Sequence, residues 1–167
     1  MSAEEIKTEI NFVASKINQF ILSNVSGNPR HLYDASLHYI KTGGKRIRPF
    51  MSVKSCQLFG GNIDTSIPYA SSVELIHNFT LVHDDIMDND NLRHNVASVH
   101  KQFGVPVAIL SGDILFSKAF QIISHYGKEA GISSETLLKM MHLLSSSCIE
   151  ICEGQALDIK MSIDRDF

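Results

Sequence analysis

The 167 residues of this chain are 44% hydrophobic and 20% charged, and the formal net charge is −3. This length suits one domain over residues 1–167, and the charge gives no basic excess of the kind that nucleic-acid binding requires. The N-terminal segment is acidic and lacks the apolar core of a signal peptide, and no uninterrupted apolar stretch approaches a membrane span. We therefore expect a cytoplasmic globular protein with no nucleic acid among its partners and no membrane span.

Apolar residues recur at three- and four-residue intervals along the chain, and this spacing predicts helices throughout. The predicted helices run from Ile6 to about 24–28, from Pro29 to the Gly43-Gly44 stop, from Phe50 to Phe59, from about 64–68 to 86, from Ser98 to Phe103, from Val105 to Tyr126, and from Ser133 to about 162. Residues 89–97 lack periodicity and are predicted as a polar loop. No segment has the pattern of a convincing strand, so the predicted fold is all-α.

The chain contains three cysteines, an odd number without a paired metal-ligand spacing. Cys148 and Cys152 are four positions apart on the last predicted helix, which could bring two thiols together. Buried free thiols are the favoured interpretation of all three.

Three carboxylates, Asp84, Asp85 and Asp88, stand at the end of the fourth predicted helix. On a helix that advances about 100° per residue, Asp84 and Asp88 lie about 40° apart, and Asp85 is expected in the same quadrant. Such a cluster repels itself unless cations bind to it, and hard oxygen ligands suit Mg²⁺, which also takes substrate phosphates. An isolated acidic triplet is more often a solvated helix face, so its meaning depends on the neighbouring motifs.

A glycine-containing turn over residues 42–49 carries three cations, Lys45, Arg46 and Arg48. Glycine allows close approach of the backbone to a ligand, and lysine and arginine complement phosphate oxygens, arginine with two parallel hydrogen bonds. The turn therefore suits a phosphate group. A solvated basic turn is the alternative when the motif is taken alone.

Further polar residues accompany these two motifs. His77 lies about 20° from the first aspartate on the helical wheel and interrupts an apolar stripe, which indicates contact with a ligand. Arg93 could pair with Asp90 or meet a phosphate. Gln155 and Asp158 lie three residues apart on an otherwise apolar helix, where polar groups need partners. A metal–water shell and a buried hydrogen bond between helices would satisfy these two residues equally well.

Together these motifs resemble those of the trans-isoprenyl diphosphate synthases, the family that includes the farnesyl and geranylgeranyl diphosphate synthases. The resemblance rests on Gly43–Pro49, Leu81–Asp88, Arg93 and Gly154–Asp158, in matching order and at matching intervals over essentially the whole chain. It implies a helical bundle of the isoprenoid synthase type, corresponding to the N-terminal part of a polyprenyl synthase and incomplete at the C-terminus. The implied activity is a Mg²⁺-dependent prenyl transfer that condenses isopentenyl diphosphate with an allylic diphosphate.

The resemblance also implies roles for individual residues. Lys45, Arg48 and His77 would hold the diphosphate of isopentenyl diphosphate, Asp84 and Asp88 with Asp85 nearby would bind Mg²⁺, Arg93 would contact the allylic diphosphate, and Gln155 and Asp158 would support the metal cluster, Gln155 towards substrate and Asp158 towards metal. The three aspartates and Arg93 are thus the expected catalytic residues. Phe79 and Thr80 would form the floor of the product tunnel and favour geranylgeranyl diphosphate.

The sequence departs from the family pattern in two respects. His94 stands where a second arginine is usual, so the affinity for isopentenyl diphosphate is expected to be lower or more dependent on pH. Family members also have roughly twice this length, with a second aspartate-rich motif that is missing here. We expect a truncated synthase that turns over poorly alone and forms a homodimer. The alternatives are a half-site or non-catalytic subunit of a heteromer and, ranked third, a terpene cyclase.

Overall fold

The structure is a computed structural model, and it describes residues 2–164. The described elements are α1 (Ala3–Asn24), α2 (Arg30–Ser36), α3 (His38–Lys41), α4 (Ile47–Leu58), α5 (Ile63–Met87), β1 (Leu92–Arg93), β2 (Val96–Ala97), α6 (Val99–Phe103), α7 (Val105–Glu129) and α8 (Ser134–Asp164). Helices dominate this part of the chain, which confirms the predicted all-α class. The predicted helices all occur, with shifted boundaries.

The chain divides into two compact units, Met1–Tyr126 and Gly127–Phe167. In the first unit α5 packs against α4 and α1, and these two also pack on each other. Its core contains apolar side chains from all three helices, among them Val13, Ile17, Val53 and Leu75. The second unit consists of the last turn of α7, a short connection and α8. The expectation of one domain over 1–167 stays a prediction.

Capping groups fix the beginnings of the first and last helices. The Ser2 hydroxyl accepts a hydrogen bond from the Glu5 N–H at 3.2 Å, and the Glu5 carboxylate accepts one from the Ser2 N–H at 2.6 Å. This reciprocal capping box satisfies two otherwise unpaired donors. At α8 the Ser133 hydroxyl accepts from the Thr136 N–H at 3.2 Å. The Ser133 side chain thus satisfies one of the unpaired N–H groups at the start of α8.

Two predicted helix boundaries differ from the structure for local reasons. The second predicted helix is interrupted at Leu37, which separates α2 from α3. The third begins at Ile47 rather than Phe50, with Pro49 inside its first turn. Proline is tolerated there because the first N–H groups of a helix have no intrahelical acceptor.

The prediction of no strand was wrong for residues 92–97. Leu92 pairs with Ala97 and Arg93 with Val96 in a two-residue antiparallel hairpin. Its two turn residues, His94 and Asn95, have φ values of 52° and 66°. Positive φ at both central positions is what a type I′ turn requires, and asparagine and histidine tolerate this region better than most residues. The strands are too short for alternation to reveal them.

Helix α7 is long and apolar enough to cross a membrane by length and composition. Asp113 and Lys118 interrupt its apolar sequence, and the expectation of no membrane span stays a prediction. Several of its apolar side chains, including Leu115, Ala119 and Ile122, are buried in the structure. A core helix of a globular protein passes the same test, so this observation is only weak support for a membrane segment.

The three cysteines are free thiols, as predicted. Cys148 is buried, Cys56 is half-buried and Cys152 is exposed. The predicted burial is therefore correct for one of the three.

Candidate functional site

A cavity of about 430 Å³ lies against the basic turn. It is lined by that turn, by one face of α5 and by the tip of the hairpin. Its walls include four of the six predicted substrate residues, namely Lys45, Arg48, His77 and His94, but neither Arg93 nor Gln155. Lys45, Arg48 and His94 are exposed to solvent, whereas His77 is half-buried. The structure thus brings together cationic and hydrogen-bonding side chains from Lys45 to His94, which are 49 residues apart in the sequence.

Arg48 and His77 are in contact across this cavity, with Nη1 of Arg48 3.3 Å from Nε2 of His77. Because a guanidinium group only donates, the imidazole must accept at Nε2 and be neutral. Burial and the positive charges of Arg48 and Arg46 lower the pKa of His77 to about 4. The charge of His94 contributes to this shift in the same direction. His77 is therefore neutral, and the exposed cations Lys45 and Arg48 give the cavity a positive charge.

Arg46, the central cation of the basic turn, faces the protein interior. Its Nε donates to Oδ1 of Asn18 at 2.8 Å, its Nη1 to Oε1 of Glu74 at 2.7 Å, and its Nη2 to the carbonyl of Ile40 at 2.9 Å. Asn78 donates to the same Glu74 oxygen at 3.0 Å. All three cations of the turn line the cavity, but only Lys45 and Arg48 are exposed there. Sequence reasoning did not single out Glu74 or Asn78, although a glutamate within an apolar helix was an available signal.

The three aspartates of the acidic motif have different environments. Asp85 is buried, Asp84 is half-buried and Asp88 is exposed. Oδ2 of Asp85 accepts a hydrogen bond from the hydroxyl of Tyr39, and Oδ1 accepts from Nε of Arg93 at 2.9 Å and also from its Nη2. The helical step of 100° turns Asp85 inward, so it does not share a solvent-facing quadrant with the other two. These contacts favour a positioning role for Asp85 over the predicted role of metal ligand.

Asp84 and Asp88 remain as a pair of acidic groups one helical turn apart. Burial and the negative charge of Asp88 raise the pKa of Asp84, and the nearby Arg93 opposes this shift. Among residues 2–164 no group of three histidine, cysteine, aspartate or glutamate side chains is arranged to hold a metal ion. Mg²⁺ takes one or two carboxylates from a protein when phosphates and water supply its other ligands, so this pair fits a phosphate-bridged Mg²⁺.

Arg93 lies beside this acidic pair and is held by two carboxylates. Besides Asp85, its Nη2 reaches Oδ2 of Asp90 at 3.4 Å. The hydrogen bond to Asp85 raises the pKa of the guanidinium group further. Within residues 2–164 its Nη1 has no protein acceptor, so one edge of the fork can meet an anion. The pairing with Asp90 and a contact with phosphate are therefore compatible.

The hairpin that carries Arg93 is attached to α3 by two side chains that sequence reasoning missed. The Tyr39 hydroxyl accepts a hydrogen bond from the Val99 N–H at 3.0 Å, next to the end of β2. Nε2 of His38 lies 2.8 Å from the carbonyl oxygen of Ala97. These contacts fix the position of the hairpin relative to α5. An amphipathic pattern alone gives no sign of such long-range hydrogen bonds.

The two predicted chain-length residues lie on different sides of α5. The Phe79 ring contacts His83 and Phe116, with centroid distances of 4.7 Å and 5.2 Å, whereas the Thr80 hydroxyl donates to the carbonyl of His77 at 2.8 Å. A Cβ on Gly112 would lie 2.4 Å from Nε2 of His83, so a larger residue there would displace the His83 ring. Phe79 therefore belongs to an aromatic group between α5 and α7. The tunnel role of both residues stays a prediction.

Gln155 and Asp158 lie on α8, in the second unit. Gln155 is half-buried and Asp158 is exposed. At a spacing of three residues they lie on neighbouring positions of one helix face. Their predicted roles towards substrate and metal stay predictions.

Comparison with known proteins gives a consistent result. A family model described as polyprenyl synthetase matches residues 29–167. The geranylgeranyl diphosphate synthase of Sulfolobus acidocaldarius is 43% identical over 150 residues, which cover 90% of this chain and 45% of that protein. The geranylfarnesyl diphosphate synthase of Aeropyrum pernix is 41% identical over 145 residues, covering 86% and 45%. The solved structure of the geranylgeranyl pyrophosphate synthetase from Pyrococcus horikoshii superposes with a TM-score of 0.89 at 40% identity, covering 95% of this chain and 48% of that one. The chain spans about half the length of the curated relatives it matches.

Proposed function

The chain belongs to the polyprenyl synthetase family, and on this premise we propose that it forms part of a prenyltransferase that joins isopentenyl diphosphate to an allylic diphosphate. The observation that carries the proposal is the convergence of Lys45, Arg48 and His77 on one cavity. Asp84 follows His77 by two turns of the same helix, which is a rise of about 10 Å. One helix thus supports an anion site and an acidic site at a spacing that suits two diphosphates.

The cavity is the proposed site of the isopentenyl diphosphate headgroup. Lys45 and Arg48 are exposed cations that can donate to phosphate oxygens, and the glycines of the turn allow the backbone to come close. His77 is neutral beside Arg48, and a bound diphosphate would favour its protonated form. His94 lines the same cavity and donates most strongly when it is protonated.

The acidic end of α5 is the proposed site of the allylic diphosphate. Mg²⁺ held by Asp84 and Asp88 would supply charge stabilisation for the diphosphate leaving group. Arg93 offers Nη1 to the same diphosphate, and Asp85 holds its guanidinium group in place through Nε and Nη2. In the proposed reaction the allylic C–O bond breaks, the isopentenyl double bond attacks the allylic carbon, and a proton leaves. The protein binds and orients charge, and no protein nucleophile is needed.

The proposed product has about twenty carbons, as in geranylgeranyl diphosphate. Support comes from Phe79 and Thr80, one bulky and one small residue about one turn before Asp84, and from relatives named for that product. A relative named for geranylfarnesyl diphosphate is of similar identity, so relatedness alone does not fix the length. Homodimer formation and a cytoplasmic location also stay proposals. A half-site or non-catalytic subunit is not favoured, since full synthases contain this segment.

The test is condensation by a complete synthase that contains this segment. The purified protein is incubated with Mg²⁺, labelled isopentenyl diphosphate and allylic diphosphates of graded length. We expect a longer prenyl diphosphate, and a loss of several orders of magnitude in turnover for Asp88→Ala, because a metal ligand is removed. Asp34→Asn is the control, since Asp34 lies on α2 and pairs with Lys41 away from the cavity. Full activity of Asp88→Ala, or no condensation by the parent protein, would contradict the proposal.

A further inference from the structure

We propose that Arg46 is a positioning residue, whose buried pairing with Glu74 makes Lys45 and Arg48 face the cavity and so sets the affinity for the isopentenyl diphosphate headgroup. This inference rests on the proposed function of the cavity. A positioning residue does not itself touch the substrate. It acts through the backbone of the turn that carries the two exposed cations.

Arg46 joins the turn to three helices of the fold. Its guanidinium group is bound by Asn18 of α1, the Ile40 carbonyl of α3 and Glu74 of α5, at distances between 2.7 Å and 2.9 Å. These three acceptors lie around one planar group whose donors have fixed directions. The turn is therefore located relative to α1, α3 and α5 by a single side chain. Lysine could not reproduce this geometry, because its ammonium group is a point charge without a planar fork.

The backbone of the turn has positive φ values at three positions. Gly43 and Gly44 have φ values of 95° and 147°, and Arg46 has a left-handed φ of 49° immediately before α4 begins. Arginine seldom adopts this region, and such residues persist only where the surrounding structure over-determines them. Residues 42–46 lie outside the helices and strands, and the side chain of Arg46 ties them to three helices. The conformation places Lys45 and Arg48 in solvent while Arg46 is buried.

Arg46 lines the cavity, but its charge is already paired and its side chain is buried. The side chains of Arg46 and Glu74 are each 4% exposed, and their charges neutralise each other at 2.7 Å. Asn78 donates to the same carboxylate and fixes it from within α5. Removal of one partner would leave a buried charge uncompensated, whereas replacement of both by apolar residues of similar volume is often tolerated. That difference allows the positioning role to be separated from folding.

The experiment compares Arg46→Met/Glu74→Leu with the parent protein, in the natural protein that carries this sequence. Cooperative thermal unfolding first establishes that the double variant folds. We expect its KM for isopentenyl diphosphate to rise about tenfold or more, with the KM for the allylic diphosphate changed less than about twofold, because only the headgroup cavity is affected. Affinity for inorganic diphosphate without metal, measured by calorimetry, should fall in parallel. The matched control is Glu9→Gln, which removes the ion pair joining Lys54 of α4 to α1 outside the cavity.

Several outcomes would overturn the inference. An unchanged KM for isopentenyl diphosphate in a folded double variant would do so, as would equal losses for both substrates. Should the double variant fail to fold, Arg46→Lys decides the matter, since it keeps the positive charge but loses the planar fork that makes the three hydrogen bonds. A folded Arg46→Lys with unchanged diphosphate affinity would contradict the positioning role, and a loss restricted to isopentenyl diphosphate would support it. If the parent protein condenses nothing, the proposed function fails, and the diphosphate calorimetry still tests whether Arg46 positions the turn.

Discussion

The hydroxyl of Tyr39 donates a hydrogen bond to Oδ2 of Asp85 while accepting one from the N–H of Val99. Tyr39 is 2% exposed and Asp85 is fully buried. Burial and the hydrogen bond to the carboxylate raise the pKa of Tyr39, so the phenol stays protonated and can donate. This one hydroxyl group therefore connects α3, the end of α5 and the segment that follows the hairpin.

Replacement of Tyr39 by phenylalanine should destabilise the fold. Tyr39→Phe leaves one oxygen of a buried carboxylate and one backbone N–H without this partner, at a cost of about 1–3 kcal/mol. Urea unfolding followed by circular dichroism measures the change. Tyr33→Phe is the control, because within residues 2–164 the Tyr33 hydroxyl makes no hydrogen bond. An equal loss in the free energy of unfolding for both variants would mean that the Tyr39 hydroxyl stabilises the fold no more than the Tyr33 hydroxyl does.

Neutralising Asp84 should stabilise the metal-free protein at neutral pH. The pKa of Asp84 is raised in the folded state, so its ionised form opposes folding, and this penalty grows as the pH rises through the folded pKa. Asp84→Asn removes it and should raise Tm by about 1–3 °C at pH 7, a modest gain because the group is partly exposed. Asp34→Asn should show no gain, since the hydrogen bond with Lys41 lowers the pKa of Asp34. A lower Tm for Asp84→Asn without Mg²⁺ would contradict the prediction.

His77 should remain neutral well below the usual range of histidine. Its pKa of about 4 lies below the ordinary value of 6.5, so the unfolded chain takes up the proton first as the pH falls. The contribution of His77 to stability is thus present above about pH 6.5 and is lost as the pH falls towards 4. An NMR titration of the imidazole protons measures this, with the exposed His31 as an internal comparison. A midpoint above pH 6 in the ligand-free protein would refute it.

Bound diphosphate should reverse this shift, because an anion beside His77 favours the imidazolium form. Near pH 6 we expect proton uptake on binding of inorganic diphosphate. Calorimetry in buffers with different ionisation enthalpies detects the proton directly. Loss of the uptake in His77→Gln, which keeps a hydrogen-bonding side chain, would identify the titrating group, and uptake that persists in this variant would contradict the prediction.

Product length should respond in opposite directions to changes at Phe79 and Thr80. Phe79→Ser removes a ring that lies against Phe116, which should deepen the apolar space beneath the acidic site and lengthen the product. Thr80→Phe adds bulk about one turn before Asp84 and should shorten it. Chromatography of dephosphorylated products from a complete synthase gives the chain-length distribution. If both distributions match that of the parent, the floor of the tunnel lies elsewhere.

The helical class was predictable because each amphipathic helix repeats its apolar residues over several turns. The cavity residues were also predictable, since Lys45, Arg48 and His77 stand in motifs that resemble those of a known family. The inward direction of Asp85 and Arg46 was not. Within a short polar motif, adjacent residues differ by about 100° around the axis, and only the packing of other elements decides which one faces the core. The spacing of residues in the sequence does not reveal how those elements pack.

The hairpin shows a second limit. Its ladder joins only Leu92 to Ala97 and Arg93 to Val96, so alternation of apolar and polar residues has no length over which to appear. The available signal was the turn itself, where His94 and Asn95 take positive φ. Asparagine is one of the residues that are frequent in hairpin turns with positive φ. Because the sequence gives no sign of the two flanking strands, His94 and Asn95 are equally compatible with an irregular loop.

The burial of Asp85 affects how variants of the acidic motif would score in a cellular screen. Asp85→Asn should lower the abundance of folded protein, because it disturbs a carboxylate bonded to Tyr39 and Arg93. Substitutions at Asp84 or Asp88 should leave abundance intact or raise it. A growth readout would give all three positions the same loss, whereas activity normalised to protein level would separate the buried Asp85 from Asp84 and Asp88, the two aspartates proposed to bind Mg²⁺.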